Sequence, residues 1–421
     1  MADIRKYKLA DYIDSFGDGI HGTPNYDENG EYYFINGNNL KNGKIEITSN
    51  TLKISSDEYK RIKRNLSDNT LLVSINGTLG NIAFYNNEKI SLGKSACFLN
   101  LNKCACRPFI RYVLESKEFK TYMNRVAGQS TIKNVSPTQV SEYEFFAPSY
   151  SDQARIAKVL STIDREITIN REINRNLEEL AKQIYDYWFV QFDFPNEAGK
   201  PYKTSGGKMV WNEILNRKIP DGWEVKKLGE VCNFRNGINY DKKVIGNKSY
   251  KIVNVRNISA SSLFLNQNEF DIISLKSNQA DNYLVSENSI LIARSGCPGA
   301  TRIIMNVDTN VIFCGFIICM ENFHSDYKLY FAYCLKALEN TSATTTGGSI
   351  LQNVSQDTLK RISVIIPPND IITAYNEKTL AIFKSQLSIQ KEIEELSKLR
   401  DNLLPLLMNG QVTLNSCLSA D

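Results

Sequence analysis

Two short turns carry the side chains best suited to chemistry in this chain of 421 residues. Asn76-Gly77-Thr78-Leu79-Gly80 and Arg294-Ser295-Gly296-Cys297-Pro298-Gly299 each follow an apolar run and are bounded by glycines. Asn, Ser, Thr and Arg hydrogen-bond the edges of nucleic-acid bases, and Arg suits a bidentate contact with guanine. Glycine lets a backbone approach a ligand closely. The same glycines would equally shape an ordinary tight turn. A second pair of polar loops holds Gln129, Ser130, Thr131 and Lys133 in the first half, and Ser349 and Gln352 in the second. They suit either base contact or capping of the helix that follows. Lys60, Arg61, Lys63 and Arg64 form a basic cluster fit for phosphates or for the solvated face of a helix. His21 and Thr23 share a turn in which a lone histidine is as readily structural as functional. Arg256 and Asn257 offer the same chemistry in a weaker context.

Catalysis finds little to use. The nine cysteines include no C-x-x-C pair, and the two histidines, His21 and His324, lack the context of a nucleophile elbow. Pro367-Pro368 is followed by Asn369, unlike the motif of adenine methyltransferases, and Phe16-Gly17-Asp18-Gly19 lacks the spacing of a nucleotide-binding loop. Lys and Arg number 50 against 46 Asp and Glu, so any basic surface must be local. Cysteines in apolar runs such as Phe313 to Cys319 read as buried thiols of a reducing compartment. With neither a leader-like start nor an apolar run of membrane length, the expected location is cytoplasmic.

The elements that position these residues occur twice. Gly77-Thr78-Leu79-Gly80 and Gly296-Cys297-Pro298-Gly299 are offset by 219, as are Gly128-Gln129-Ser130 and Gly347-Gly348-Ser349. Asn134-Val135-Ser136 and Asn353-Val354-Ser355 keep that offset, and so do Lys8-Leu9 with Lys227-Leu228 and Pro148 with Pro367. Landmarks in constant register amount to a duplication. Each copy reads as short strands (Leu71 to Ile75 in one, Ile290 to Ala293 and Val311 to Met320 in the other), then a helix, then a strand ending at proline. In the first copy one helix carries Phe109, Tyr112, Val113, Phe119, Tyr122 and Met123.

A long helix follows each proline. Ile156, Leu160, Ile163, Ile167, Asn170, Asn174, Leu177, Ala181, Ile184 and Trp188 advance by fours and threes, as do Ile382, Gln386, Ile389, Ile393, Leu396, Arg400, Leu403 and Leu407. That is a coiled-coil seam with polar interruptions. Ser149 or Ser151 and Asn369 suit the N-caps, Asn409-Gly410 suits a stop, and Pro405 predicts a kink or an early end. The reading divides the chain into domain 1 (1–148), helix 1 (149–190), a flexible linker (191–220), domain 2 (221–367), helix 2 (368–410) and a tail (411–421).

The sequence resembles the specificity subunits of type I restriction–modification enzymes along nearly its whole length. The likeness rests on Asp18-Gly19-Ile20-His21-Gly22-Thr23-Pro24, Asp152-Gln153 with Ile156-Ala157, and Trp188-Phe189-Val190 with Phe192-Asp193. It rests also on Ile219-Pro220-Asp221-Gly222-Trp223 and Leu404-Pro405-Leu406-Leu407-Met408-Asn409-Gly410. Departures are Ile372 opposite Gln153 and Pro298 opposite Leu79. The resemblance implies an α+β fold: two tandem-repeated domains of mixed β-sheet and helices, separated by two long antiparallel helices in a coiled coil, pseudo-twofold overall. It implies that each domain reads one half of a bipartite double-stranded DNA target, without catalysis in this chain. Two methyltransferase (modification) subunits would dock on the helices, for which Arg155, Tyr187, Trp188, Phe189 and Leu406 are the expected contacts, and restriction subunits would join. S-adenosylmethionine, ATP and Mg would belong to those partners. Two rivals stay open: a docking scaffold without DNA contact, and a DNA-reading part of an enzyme whose nuclease and methylase lie elsewhere.

Overall fold

The structure, a computed structural model, describes residues 4–41, 43–128, 133–240, 246–260, 262–339, 354–408 and 411. It forms two compact units, Met1–Ile169 with Glu392–Asp421, and Asn170–Lys391. The division cuts through both long helices and not, as the sequence suggested, between helix and domain. The reason is packing: the two halves of each helix bury their apolar positions in different cores.

In the first unit, strands Ile13–Asp18, Ala96–Leu101, Thr70–Ser74 and Ile82–Phe84 form a four-stranded sheet in that order. Strand Thr70–Ser74 is buried throughout, and its centre Leu71-Leu72-Val73 is a continuous apolar run because both of its faces are covered. Leu71, Val73 and Ile75 enter one cluster with Cys97 and Leu99, while Leu72 enters another with Ala96 and Phe98. Each such side chain, fully buried, stabilises by about 1.5–3 kcal/mol. A second sheet orders Lys53–Ile54, Tyr32–Ile35 and Ile90–Leu92, the last pair parallel. Strand Arg5–Lys8 pairs with Glu144–Ala147. The single helix expected over 109–123 is two, Arg107–Glu115 and Lys117–Val126. Ser116 separates them by turning extended, and its hydroxyl caps the second by accepting from the Phe119 N–H at 3.1 Å.

The second unit repeats this plan. Its four-stranded sheet runs Asn233–Asn236, Ile317–Glu321, Ile290–Ala293, Thr301–Ile303, and its three-stranded sheet Asp271–Leu275, Lys248–Val253, Val311–Phe313. Glu224–Lys227 pairs with Ser363–Ile366 in the register of its counterpart, offset by 219. The run read as one strand from Val311 to Met320 is broken, because its two parts serve different sheets. Gly315 makes the break possible: a Cβ there would sit 2.0 Å from Asn239 Oδ1. The linker is folded. Phe194 stacks on Trp223 and Phe192 meets it edge-on, the Asp193 carboxylate accepts from the Thr204 N–H at 2.7 Å, and Met209–Asn212 pairs with Arg217–Pro220.

The first long helix, Tyr150–Tyr185, is capped by Ser149, whose hydroxyl accepts from the Asp152 N–H. It ends in one wide turn, Asp186–Val190, closed by the Gln191 N–H on the Asp186 carbonyl at 2.8 Å. The second, Asn369–Met408, includes Asn369 as a helical residue, and the Ile372 N–H bonds the Pro368 carbonyl. Pro405 does not stop it; the helix continues to Met408. Proline so near the end removes one N–H and leaves few turns to disturb. Within the first unit the start of helix 1 (Ile156, Ala157, Leu160) packs with the end of helix 2 (Leu407, Met408), and Arg400 pairs with Asp164 at 2.9 Å. Within the second unit the end of helix 1 meets the start of helix 2, and Gln386 donates to the Asn174 carbonyl at 3.4 Å. This is the pairing of antiparallel helices, and Asn170 and Gln386 are buried polar positions of the seam.

Each domain is fastened to helix 1 by a carboxylate. Asp164 accepts from the Tyr112 hydroxyl at 2.7 Å and pairs with Arg111 at 3.3 Å. Burial and that carboxylate together push the Tyr112 hydroxyl up, so it remains a donor. Glu178 pairs with Lys336 at 3.2 Å and accepts from the Leu263 N–H at 2.9 Å.

Candidate nucleic-acid interface

The Gly-bounded turns stand at the same point of the two domains, where the central strand leaves its sheet. In domain 1 the Ile75 N–H donates to the Ser95 carbonyl at 3.0 Å and the Val135 N–H to the Ile75 carbonyl at 2.9 Å. In domain 2 the Arg294 N–H donates to the Phe316 carbonyl and the Val354 N–H to the Arg294 carbonyl, both at 2.8 Å. Gly77 and Gly80 have φ of 74° and 76°, Gly296 and Gly299 of 80° and 85°. Those left-handed conformations favour glycine, which explains why glycine brackets both turns despite different residues between.

The structure joins two regions that the sequence offered separately. The Gly77 N–H bonds the Lys133 carbonyl at 3.1 Å, and the Asn76 amide donates to Asn134 Oδ1 at 3.3 Å. Asn76, Thr78 and Lys133 therefore share one patch, with Thr78 and Lys133 exposed. The Lys133 ammonium reaches Asn124 Oδ1 at 2.5 Å. Gln129, Ser130, Ser349 and Gln352 lie outside the described residues. Arg294 is exposed, Ser295 partly so, and among the described residues the Arg294 guanidinium has no hydrogen-bond or ion-pair partner.

The basic cluster divides. Helix Ser56–Ile62 carries Lys60, paired with Asp57 at 3.1 Å, and Arg61, which grips Glu58 through Nη2 at 2.6 Å and Nε at 2.9 Å. Glu58 also accepts from the Asn25 N–H at 3.0 Å, and these contacts hold its carboxyl below the usual range. Arg64 donates to the carbonyls of Asp18 at 2.8 Å and Gly19 at 3.2 Å. Arg61 and Arg64 thus fasten the loop that carries exposed His21 and Thr23, and His21 meets Asp18 at 2.8 Å. Lys63 is exposed and without a partner among the described residues. It is the member of the cluster most available to a phosphate.

On the helices, Arg155 is exposed and pairs with Asp152, while Leu406 is half-buried. Trp188 and Phe189 belong to the core of the second unit, packed on Tyr375, Tyr330 and Trp223. Their apolar bulk seats the end of helix 1, and Trp188 also lines the cavity beside Tyr187. Tyr187 stays at the surface, lining a cavity of about 940 Å³ with Leu180, Ile184, Ala374 and Lys378. The eight described cysteines are all free, and burial pushes the Cys232 thiol up to about 12. No group of three or more His, Cys, Asp or Glu side chains among the described residues could hold a metal ion, and no helix among them is long and apolar enough to cross a membrane.

Sequence reasoning missed Phe316. It stands 61% exposed beside Arg294, although it lies in a run that reads as buried strand. The one hint was the preceding Gly315.

The chain is a tandem-repeat α+β protein that presents one polar, glycine-hinged turn per domain. The family described as the type I restriction modification DNA specificity domain matches residues 1–179 and again 220–400. The chain belongs to that family. It is 26% identical over 395 residues, covering 93% of this chain and 86% of the relative, to the type I restriction enzyme MjaIX specificity subunit of Methanocaldococcus jannaschii. It is 22% identical over 483 residues to the HindI specificity subunit of Haemophilus influenzae, covering 98% and 100% of the two chains. Among solved structures, the type I restriction–modification S subunit from M. genitalium superposes with a TM-score of 0.50 at 18% identity, covering 96% of each chain, which supports the same fold.

Proposed function

We propose that this chain is the sequence-reading subunit of a type I restriction–modification complex, in which each domain reads one half of a bipartite double-stranded DNA target. Two modification subunits dock on the long helices and restriction subunits complete the assembly. On this reading the chain performs no chemistry itself, and S-adenosylmethionine, ATP and Mg act on its partners. The observation that carries the reading is the duplicated turn. A glycine-hinged strand end, pinned by the same pair of backbone hydrogen bonds, offers polar side chains once in each domain. Folding alone has no need of an unpaired guanidinium at such a point, whereas a DNA groove does. The cavity beside Tyr187 and the exposed Arg155 support helix docking.

The test is DNA binding by the chain copurified with its modification subunit, measured against salt. The expected result is preference for one bipartite duplex over scrambled duplexes, with affinity falling as salt rises by a slope of about 0.9 per phosphate contacted. A complex that assembles yet binds every duplex alike, or none, contradicts the reading and favours the scaffold.

A further inference from the structure

We propose that Arg294 and Phe316 form a paired reading element in domain 2, the guanidinium hydrogen-bonding guanine O6 and N7 in the major groove while the phenyl ring packs on the adjoining base step. The inference deepens the reading above and rests on it.

The argument starts from strand register. Ile292 pairs with Ile318 and Ala293 with Ile317, so the next opposed pair is Arg294 with Phe316, and the Arg294 N–H indeed donates to the Phe316 carbonyl. That backbone bond brings the two residues together just beyond the last paired residues of their strands. The strands themselves alternate between two cores. Ile290, Ile292, Ile318 and Met320 lie in one core cluster, and Leu291, Ala293, Ile317 and Cys319 in the other. Arg294 and Phe316 lie immediately past the strand ends that hold these core residues, Arg294 in a bend and Phe316 in a turn. Both are exposed.

Domain 1 supplies the control. The equivalent opposed positions, fixed by the same two hydrogen bonds, hold Ile75 and Ser95. Ile75 is buried in the core, and Ser95 donates to Asn36 Oδ1 at 3.0 Å and accepts from the Gly37 N–H at 2.9 Å. The fold is therefore complete with an apolar residue and a small hydroxyl at this strand end. Domain 2 instead shows solvent a cation without a partner among the described residues and a large aromatic ring. Backbone bonds on both sides of Arg294 hold the strand end rigid, so the guanidinium is presented with little backbone entropy to lose. A fixed planar fork matches the O6/N7 edge of guanine, and an aromatic ring provides apolar contact with a neighbouring pyrimidine methyl.

The experiment uses the complex of this chain with its modification subunit and the duplex that carries its methylation motif. Each guanine of the half-site read by domain 2 is replaced in turn by 7-deazaguanine, which lacks the N7 acceptor. The wild-type complex should lose about tenfold or more in affinity at one such position. Arg294→Ala should lose as much on the natural duplex and nothing further on the substituted one. Phe316→Ala should bind several-fold more weakly while still responding to the 7-deazaguanine. Arg294→Ala that binds and methylates like wild type, a wild type indifferent to every 7-deazaguanine, or a half-site without guanine overturns the inference. A wild-type complex that shows no split motif at all overturns the function on which it rests, and the two failures are distinct.

Discussion

The two domains share a frame and differ at its working edge. Four-strand order, three-strand order, the terminal ribbon and the glycine φ values recur between them. The strand ends do not recur. Domain 1 buries Ile75 there and puts its polar groups one and three residues later, at Asn76 and Thr78, beside Lys133. Domain 2 exposes Arg294 and Phe316 at the strand end itself. The lesson is that duplication preserved what folds the chain and released the exposed strand ends that, on the proposed reading, would contact DNA. On that reading, two copies of one scaffold would read unlike half-sites.

The fastening of the domains to helix 1 gives the largest expected break. Asp164→Ala removes one of two carboxylate partners from Arg111, which keeps Glu115, and from Arg400, which keeps Asp401, and leaves the Tyr112 hydroxyl without its acceptor, for an expected loss of about 2–4 kcal/mol in denaturant unfolding. Glu178→Ala removes a single lysine partner and one N–H acceptor, and should cost about 1–3 kcal/mol. Equal losses from the two substitutions would contradict the asymmetry. At the turns, Gly80→Val or Gly299→Val forces a branched side chain into positive φ and should cost about 1–2 kcal/mol, read from the unfolding midpoint. Each should also degrade recognition of one half-site alone. Asn76→Ala should relax one base position of the half-site read by domain 1, with a discrimination loss of about 1–3 kcal/mol in binding competition and no change in the other half. The basic cluster gives the smallest effect. Lys63→Ala should lower the salt slope by about 1, whereas Lys60→Ala, whose cation already has Asp57 as a partner, should change it less. A reversed order would place the phosphate contact on the wrong lysine.

Much of this frame was legible in the sequence because burial and repetition leave periodic marks. The offset of 219 places Glu224–Lys227 and Ser363–Ile366 in the register of Arg5–Lys8 and Glu144–Ala147. The polar interruptions of the seam, Asn170 and Gln386, are buried between the helices as their spacing suggested. Local breaks were less visible. Ser116 splits a continuous apolar face because a hydroxyl can cap as well as continue a helix, and Gly315 divides an apolar run between two sheets. The linker looked flexible by composition, yet Phe192, Phe194 and Trp223 give it a core. For the interface, residue type pointed to the turns and to Arg294. It could not separate Arg61 and Arg64, held by Glu58 and by backbone carbonyls, from exposed Lys63, since that depends on contacts with Asn25, Asp18 and Gly19 far away in the chain. Of the helix residues expected at a docking surface, Phe189 is buried in the core, while Trp188 both packs in that core and lines the cavity beside Tyr187.

The most direct test of the central claim is the methylome of cells expressing this chain with its modification subunit, beside cells in which residues 1–148 are exchanged for the matching domain of a relative. The account predicts a split methylated motif that depends on the chain, of which the exchange alters one half and leaves the other intact. An active modification subunit that writes the same motif with the natural and the exchanged domain, or no motif with either, would contradict it.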